Sequence, residues 1–240
     1  MPKPSHIELP TGERIAILYE DRSVLAIDKP RGWMLVPFSW QKTHRNLQAA
    51  ITSSIVGGDF WARSRGLKFL RFIHRLDADT SGILLFAKSQ GALDAYSDLF
   101  ERRRMEKTYL AVVAGVPKQP EWTCRLRLSQ DANRVGRMRV DARFGKEAET
   151  RFRVLQTKAG RSLLEARPRT GRTHQIRVHL AESGCPVVGD EFYGRANDGC
   201  GLGLRAVRLA FEDPFTRRRV EIRATIEAFC REYGFDIPPL

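Results

Sequence analysis

Two clusters of side chains in this 240-residue sequence have chemistry that a solvated surface would not need. Asp77 and Asp79 bracket Ala78 in "RFIHRLDADTSGILLFAKS" (71–89), with Arg75 two positions before the first carboxylate. On an extended chain such a pair would point the same way. Asp77 lies where a loop would end and an apolar strand begin, a boundary at which reactive groups are often held. It reads equally well as a reactive acid and as a turn residue. Asp79, directly before Thr80-Ser81-Gly82, reads as the turn residue, because Asp side chains bond their own backbone in turns.

A second cluster of polar groups is "RTGRTHQIRVHL" (169–180), with Arg172, His174, Arg177 and His179. On a helix Arg177 shares a face with Leu180 and Ala181. An arginine on an apolar face requires an acidic partner, because an unpaired buried charge is costly. Asp77 is one candidate, about 100 residues away in sequence; a surface arginine at an amphipathic margin is the alternative. A metal site fits poorly. His174 and His179 are five apart, not the four that places two imidazoles on one helical face. His74 is followed by Arg75, and no cysteine neighbours these histidines. No GxxxxGK[ST] or GxGxxG phosphate loop is present.

The elements that must position these groups follow from pattern. "ERIAILYE" (13–20) and "SVLAIDKP" (23–30) read as a β-hairpin. Residues 43–56 suit a helix stopped by Gly57-Gly58. "GILLFAKS" (82–89) is a buried strand, 91–104 a helix with Leu93, Tyr96 and Phe100 at helical spacing, and 106–116 another strand. Residues 121–158 read as several strands, with Phe152 and Val154 opposite Arg151 and Arg153 in period two. "RSLLEARP" (161–168) continues the sheet. Residues 173–184 suit a helix capped by Thr173 and stopped by Gly184. Strands over 203–214 and 218–225 and a short helix over 225–234 complete the chain. The fold class is α+β with mostly antiparallel strands. Residues 1–12 are expected to be a loose tail and 13–240 one domain, with two subdomains possible.

Charge points to the partner. Lys and Arg number 41 against 28 Asp and Glu, a net charge of +13. The excess gathers at 61–71, 101–107, 133–146 and 215–219, interleaved with Trp61, Phe69, Met138 and Phe144. Cations alternating with flat apolar groups suit phosphates and unstacked bases, so nucleic acid is favoured over a merely basic surface. The N-terminus lacks the apolar core of a signal peptide, and no apolar run approaches the ~20 residues a bilayer requires. The four cysteines form no CxxC pair. Cytoplasmic location with reduced thiols is the expectation, with monomer as the default state and neither membrane nor DNA as partner.

With both motifs in view, the chain resembles the RluA-type pseudouridine synthases. "HRLDADTSGILLFAKS", "KTYLAVVAG" and "RTGRTHQIRVHLAESGCPVVGDEFYG" carry the resemblance, and "VLAIDKPRGWMLVP" (24–37) is similar to the family's Lys-Pro-x-Gly segment. It extends from about residue 15 to about 225. It implies the pseudouridine synthase catalytic fold: a mixed, mostly antiparallel central sheet flanked by helices and loops, with the active-site cleft across the sheet. It implies isomerisation of uridine in rRNA or tRNA to the C-glycoside, with nothing added or lost and so neither cofactor nor metal required. On this resemblance Asp77 is the essential aspartate, acting as nucleophile or as base. Arg75 assists the flipped base, Tyr109 packs against it, and Arg177 pairs with Asp77. Many relatives carry an N-terminal S4 RNA-binding domain; the motifs here begin too early for one, so the basic surface itself is expected to find the RNA. Residues 38–68 match no recognised motif and are the expected seat of substrate choice. The competing expectation is a catalytically idle RNA-binding or ribosome-assembly factor built on the same fold.

Overall fold

The computed structural model describes residues 2–9, 11–35, 45–194 and 200–239. In chain order these form β1 (His6–Glu8), β2 (Arg14–Glu20), β3 (Val24–Lys29), α1 (Leu47–Val56), α2 (Phe60–Arg63), β4 (Arg71–Phe72), β5 (Ser81–Ala87), α3 (Gln90–Glu101) and β6 (Glu106–Ala114). Then come β7 (Glu121–Cys124), β8 (Leu128–Gln130), β9 (Met138–Val140), β10 (Thr150–Lys158), β11 (Arg161–Pro168), α4 (Gln175–Glu182), β12 (Leu204–Glu212), β13 (Arg219–Arg223) and α5 (Glu227–Glu232). The class is α+β, with a mostly antiparallel sheet and few helices.

The chain divides into two compact units. The first holds residues 1–105 and 209–224, the second 106–208 and 225–240, so β12 contributes to both. In the first unit β1, β2, β3 and β5 pair antiparallel in that order, and β4 also pairs with β5. All seven residues of β5 are buried, as its unbroken apolar sequence requires of a strand covered on both faces. Ser89 caps α3 by accepting the Ala92 amide, which aims Ala92, Tyr96 and Leu99 at Ile83 and Leu85. Within the stretch expected to be loose, Ile7 and Leu9 are buried and β1 pairs with β2. Arg65 also donates to the Pro4 carbonyl and to Glu20, fastening that segment to the hairpin.

In the second unit β6, β11, β10 and β7 pair antiparallel in that order. Thr150 and Phe152 point inward while Arg151 and Arg153 are exposed, the period-two alternation of a half-buried strand. A register shift between Val154 and Gln156 ends that regularity. Phe229 and Cys230 of α5, with Tyr233 just after it, cover Leu110, Val112 and Leu163. Boundaries differ from expectation mainly at helix starts. α1 begins at Leu47 behind an Asn46 cap, and residues 43 and 44 lie outside the described residues. Thr173 does not cap α4. The cap position is His174, in the left-handed conformation and without a side-chain cap bond.

No helix among the described residues is long and apolar enough to cross a membrane. The rigidity of the first unit rests on β5, and Leu85→Ala is therefore expected to cost about 3 kcal/mol, the usual range for a fully buried leucine. Urea unfolding checks this, and a loss below 1 kcal/mol would mean that the site collapses around the cavity.

Candidate active site

Asp77 sits in a loop fixed from several sides. At its entry, β4 pairs with β5, the Ile73 amide donates to Leu85 O (2.9 Å), and the Leu85 amide donates to His74 Nε2 (3.2 Å). Nε2 is thus an acceptor, which places any single ring proton on Nδ1. His74 also stacks on Phe100, with centroids 4.7 Å apart. Leu76 is buried, Asp77 partly buried, and Arg75 and Asp79 exposed. Ala78 and Asp79 form a turn closed by the Thr80 amide on Asp77 O (3.2 Å). The premise of an extended Asp-Ala-Asp therefore fails: a turn separates the carboxylates, and one is partly enclosed while the other faces solvent. Asp79 does occupy the turn, as expected.

The exit of the loop is held by the Lys-Pro-x-Gly segment. Lys29 is fully buried, and its Nζ donates to Ala78 O (2.6 Å), Thr80 O (3.0 Å) and Pro30 O (3.0 Å). The Gly32 amide adds a second bond to Ala78 O (2.9 Å) from a left-handed turn (φ 77°) that favours glycine. Gly82, opposite Lys29 in the β3–β5 ladder, has φ 107°, so the Thr-Ser-Gly entry to β5 also requires its glycine. Burial pushes the Lys29 ammonium down to about 8, a shift opposed by the nearby Asp79 and Asp77 carboxylates.

In the second unit Tyr109 is a largely buried residue of β6, opposite Ala166 of β11. Lys107, two positions earlier on the same strand, donates to Thr170 O (3.0 Å), and burial lowers its ammonium to about 8. Arg177 is buried on α4 and grips Asp190 through two bonds, Nε to Oδ2 and Nη2 to Oδ1, both 2.7 Å. This fork matches a carboxylate in both length and direction. Asp190 Oδ1 also accepts the Phe192 and Tyr193 amides (3.0 and 3.1 Å), and the Arg177 guanidinium lies over both rings at 5.5 and 5.3 Å.

The rest of the "HQIRVH" string serves to hold α4. Gln175 is buried and fully bonded: Oε1 accepts Thr170 Oγ1 and the Arg172 amide, and Nε2 donates to Glu149 O and Thr150 Oγ1. One turn on, His179 has Nε2 at 3.0 Å from Leu126 O and Nδ1 at 3.0 Å from Thr150 Oγ1. A carbonyl only accepts, so Nε2 carries the proton, and burial lowers the imidazole pKa, favouring the neutral form. His174 Nδ1 instead meets Tyr193 Oη at 2.9 Å. Among the described residues no group of three or more His, Cys, Asp or Glu is placed to hold a metal. Sequence reasoning missed Lys29, Gln175, His179 and Asp190 as holders of the site. All four lie inside the quoted motifs, but their partners are backbone carbonyls, a hydroxyl and an arginine that only the fold brings near.

Comparison with known proteins fits this arrangement of motif loops on an α+β sheet, the class of RNA-modifying synthases. Residues 23–182 match the family model described as RNA pseudouridylate synthase. The sequence is 34% identical over 230 residues to "Ribosomal large subunit pseudouridine synthase C" of Vibrio cholerae, covering 90% of this chain and 67% of that protein. Identity to the Escherichia coli K12 protein of the same name is also 34%, covering 88% and 66%. The chain thus spans about two thirds of the length of these relatives. Among solved structures, human RNA pseudouridylate synthase domain containing 1 superposes with a TM-score of 0.71 at 27% identity, covering 88% of this chain and 83% of that one. Human domain containing 4 shares the fold, with a TM-score of 0.73 at 21% identity over 93% and 94%. The chain belongs to the RNA pseudouridylate synthase family, isomerases that convert uridine in RNA to pseudouridine.

Lys29→Met leaves three carbonyls short of a donor and is expected to destabilise the protein by about 2 kcal/mol at neutral pH. The pH dependence has a defined sign. The folded pKa lies below the ordinary lysine value, so between about pH 8 and 10.5 the unfolded chain binds more protons and the wild type gains stability as pH rises. The variant lacks this gain, and the gap between the two should widen from pH 7 to pH 10 in thermal unfolding. A gap that narrows would mean that the ammonium is held chiefly by the carboxylates.

Proposed function

We propose that this protein isomerises uridine in large-subunit ribosomal RNA, with Asp77 as the essential acid. The observation that carries the reading is the fixed position of Asp77: a partly buried residue on a turn tied to β5 by His74, to the end of β3 by Lys29 and to the following turn by Gly32. A group that must meet a sugar or a base at bonding distance benefits from such restraint, because orientation settled by folding is not charged to the reaction.

In this reading the N1–C1′ bond breaks, the uracil turns while held, C5 bonds to C1′, and the C5 proton leaves as N1 gains one. The sum is unchanged, so no redox partner or group donor enters. Asp77 acts in its ionised form, as nucleophile or base. The family motif assigns Arg177 as the cation that pairs with this aspartate, and an opposite charge favours the charged form of a carboxylate. A base in folded RNA must leave its stack, at a cost of a few kcal/mol. Arg75, exposed beside Asp77, assists the extruded base, and Tyr109 packs against it. The ribosomal substrate follows the names of the Vibrio cholerae and Escherichia coli relatives.

Asp77→Asn tests the assignment. Pseudouridine formation in unmodified large-subunit ribosomal RNA should fall at least 10³-fold, on the order of the loss when a covalent or general-base group is removed, while RNA binding stays within about threefold of wild type. Sequencing-based pseudouridine mapping and filter binding give the two readouts. Full activity in the variant would remove Asp77 from the mechanism. A wild type that binds this RNA and modifies none of its uridines would favour an idle RNA-binding protein.

A further inference from the structure

A two-stranded arm in the second unit has a surface that neither the core nor the site uses. β8 and β9 pair antiparallel, Leu128 with Val140 and Gln130 with Met138, apart from the larger sheet. Residues 127–146 carry Arg127, Arg134, Arg137, Arg139, Arg143 and Lys146 against only Asp131 and Asp141. Two apolar side chains stand in solvent among them, Val135 at 79% exposure and Phe144 at 75%. Their exposure is built in. Asp141 Oδ1 accepts the Arg143 and Phe144 amides (3.1 and 2.8 Å), and Asp141 O accepts the Gly145 amide (3.0 Å). This tight turn thrusts the Phe144 ring outward, with the Arg143 guanidinium 4.9 Å from its centroid. Gly145 has no room for a side chain, since a Cβ would collide with Asp141 O.

The arm is also anchored to the helix that carries Arg177. Leu128 packs with Val178 of α4, and Met138, Val140 and Tyr193 close over that contact. Tyr193 joins the two features: its Oη accepts the Met138 amide (2.8 Å), the Arg137 guanidinium covers its ring at 5.4 Å, and Arg177 covers it at 5.3 Å.

We infer that the β8–β9 arm is a docking surface for an unpaired RNA segment flanking the target uridine, with Phe144 and Arg143 as a platform for one unstacked base and Arg134 and Lys146 facing phosphates. This rests on the function proposed above. RNA is the occupant that matches the charge. Base stacking on an exposed aromatic flanked by arginine tolerates any sequence, and a stem would hide the faces that such a platform reads. The fastening through Tyr193 places the arm next to the Arg177 helix, so an RNA strand on it adjoins one of the proposed site residues.

Binding of a 12-nucleotide single-stranded oligouridylate and of a 12-base-pair RNA duplex, measured by fluorescence anisotropy across a salt series, tests this. Phe144→Ala should weaken oligouridylate binding by about tenfold, as loss of one base–aromatic stack does, and leave duplex binding unchanged. Arg134→Ala with Lys146→Ala should lower the slope of log affinity against log salt by about 1.4, two phosphate contacts' worth on a single strand. Removing the exposed cations of Lys118 and Lys158 together is the control for net charge and should leave oligouridylate affinity within twofold. All these positions are exposed, and melting temperatures confirm folding. Unchanged oligouridylate binding by the Phe144 variant, or equal losses in the arm pair and the control pair, would overturn the inference. The two readings fail separately. If the wild type modifies no uridine in large-subunit ribosomal RNA and arm variants still lose oligouridylate binding, the proposed activity falls and the arm stands. If the wild type is active and arm variants bind as it does, the arm falls alone.

Discussion

A buried ammonium holds the aspartate loop. Lys29 has no exposed surface and spends its donors on carbonyls at both ends of the Asp77 turn and on its own neighbour. Backbone carbonyls are partial charges, weaker partners than a carboxylate, and the desolvated cation is accordingly pushed down to about 8. An apolar side chain there would leave those carbonyls short of a donor. What the lysine adds is a fixed path for residues 78–80, because three acceptors that converge on one nitrogen cannot drift independently. The Gly32 amide on Ala78 O and the left-handed Gly32 and Gly82 belong to the same device.

The second unit reaches the same end by a different route. Gln175 and His179 lie one turn apart on α4 and meet the same hydroxyl, Thr150 Oγ1. Arg177, between them, turns instead toward Asp190, Phe192 and Tyr193. Alternate positions of one short helix thus do different work, two tying it to β10 and one presenting a guanidinium. A buried charge pair contributes little net stability against an apolar replacement, yet losing one partner is costly. Asp190 therefore serves Arg177 chiefly by fixing its direction, aided by the two aromatic rings.

Much of this was legible in the sequence because the strongest signals are local. The unbroken apolar run of β5 and the alternation at Arg151, Phe152 and Arg153 identify strands from side-chain type alone. The motif strings likewise single out Asp77, Arg75, Tyr109 and Arg177 as residues of interest. What could not be read is what depends on long-range pairing. The Lys29 bonds span about 50 residues, and the Gln175 and His179 bonds span 25 to 53 along different elements. Thr173 failed as a cap for a related reason. The helix start is organised by the Gln175 side chain bonding back to Thr170 and Arg172, which a capping rule based on residue type at one position does not consider. The segment 38–44, where substrate choice was expected in part, lies outside the described residues.

Charge placement links these frames to a polyanionic partner. Many arginines here are neutralised locally: Arg65 by Glu20, Arg151 by Glu121, Arg153 and Arg167 by Glu165, and Arg177 by Asp190. Such pairs are structural and give little to an incoming phosphate. The excess that counts for association is the fraction without a carboxylate close by; in the 127–146 arm Asp141 caps its own turn and pairs with Arg139 (3.4 Å), which leaves Arg134, Arg143 and Lys146 to an incoming strand. The Asp141 carboxyl is held below the usual range chiefly by the Phe144 amide, so it stays ionised and keeps the turn closed over the working pH range. A basic chain of this size could spread its charge evenly and bind RNA anywhere. Concentrating it on a strand pair fastened to the Arg177 helix gives a bound strand one position relative to that helix. Affinity and placement then come from the same few residues.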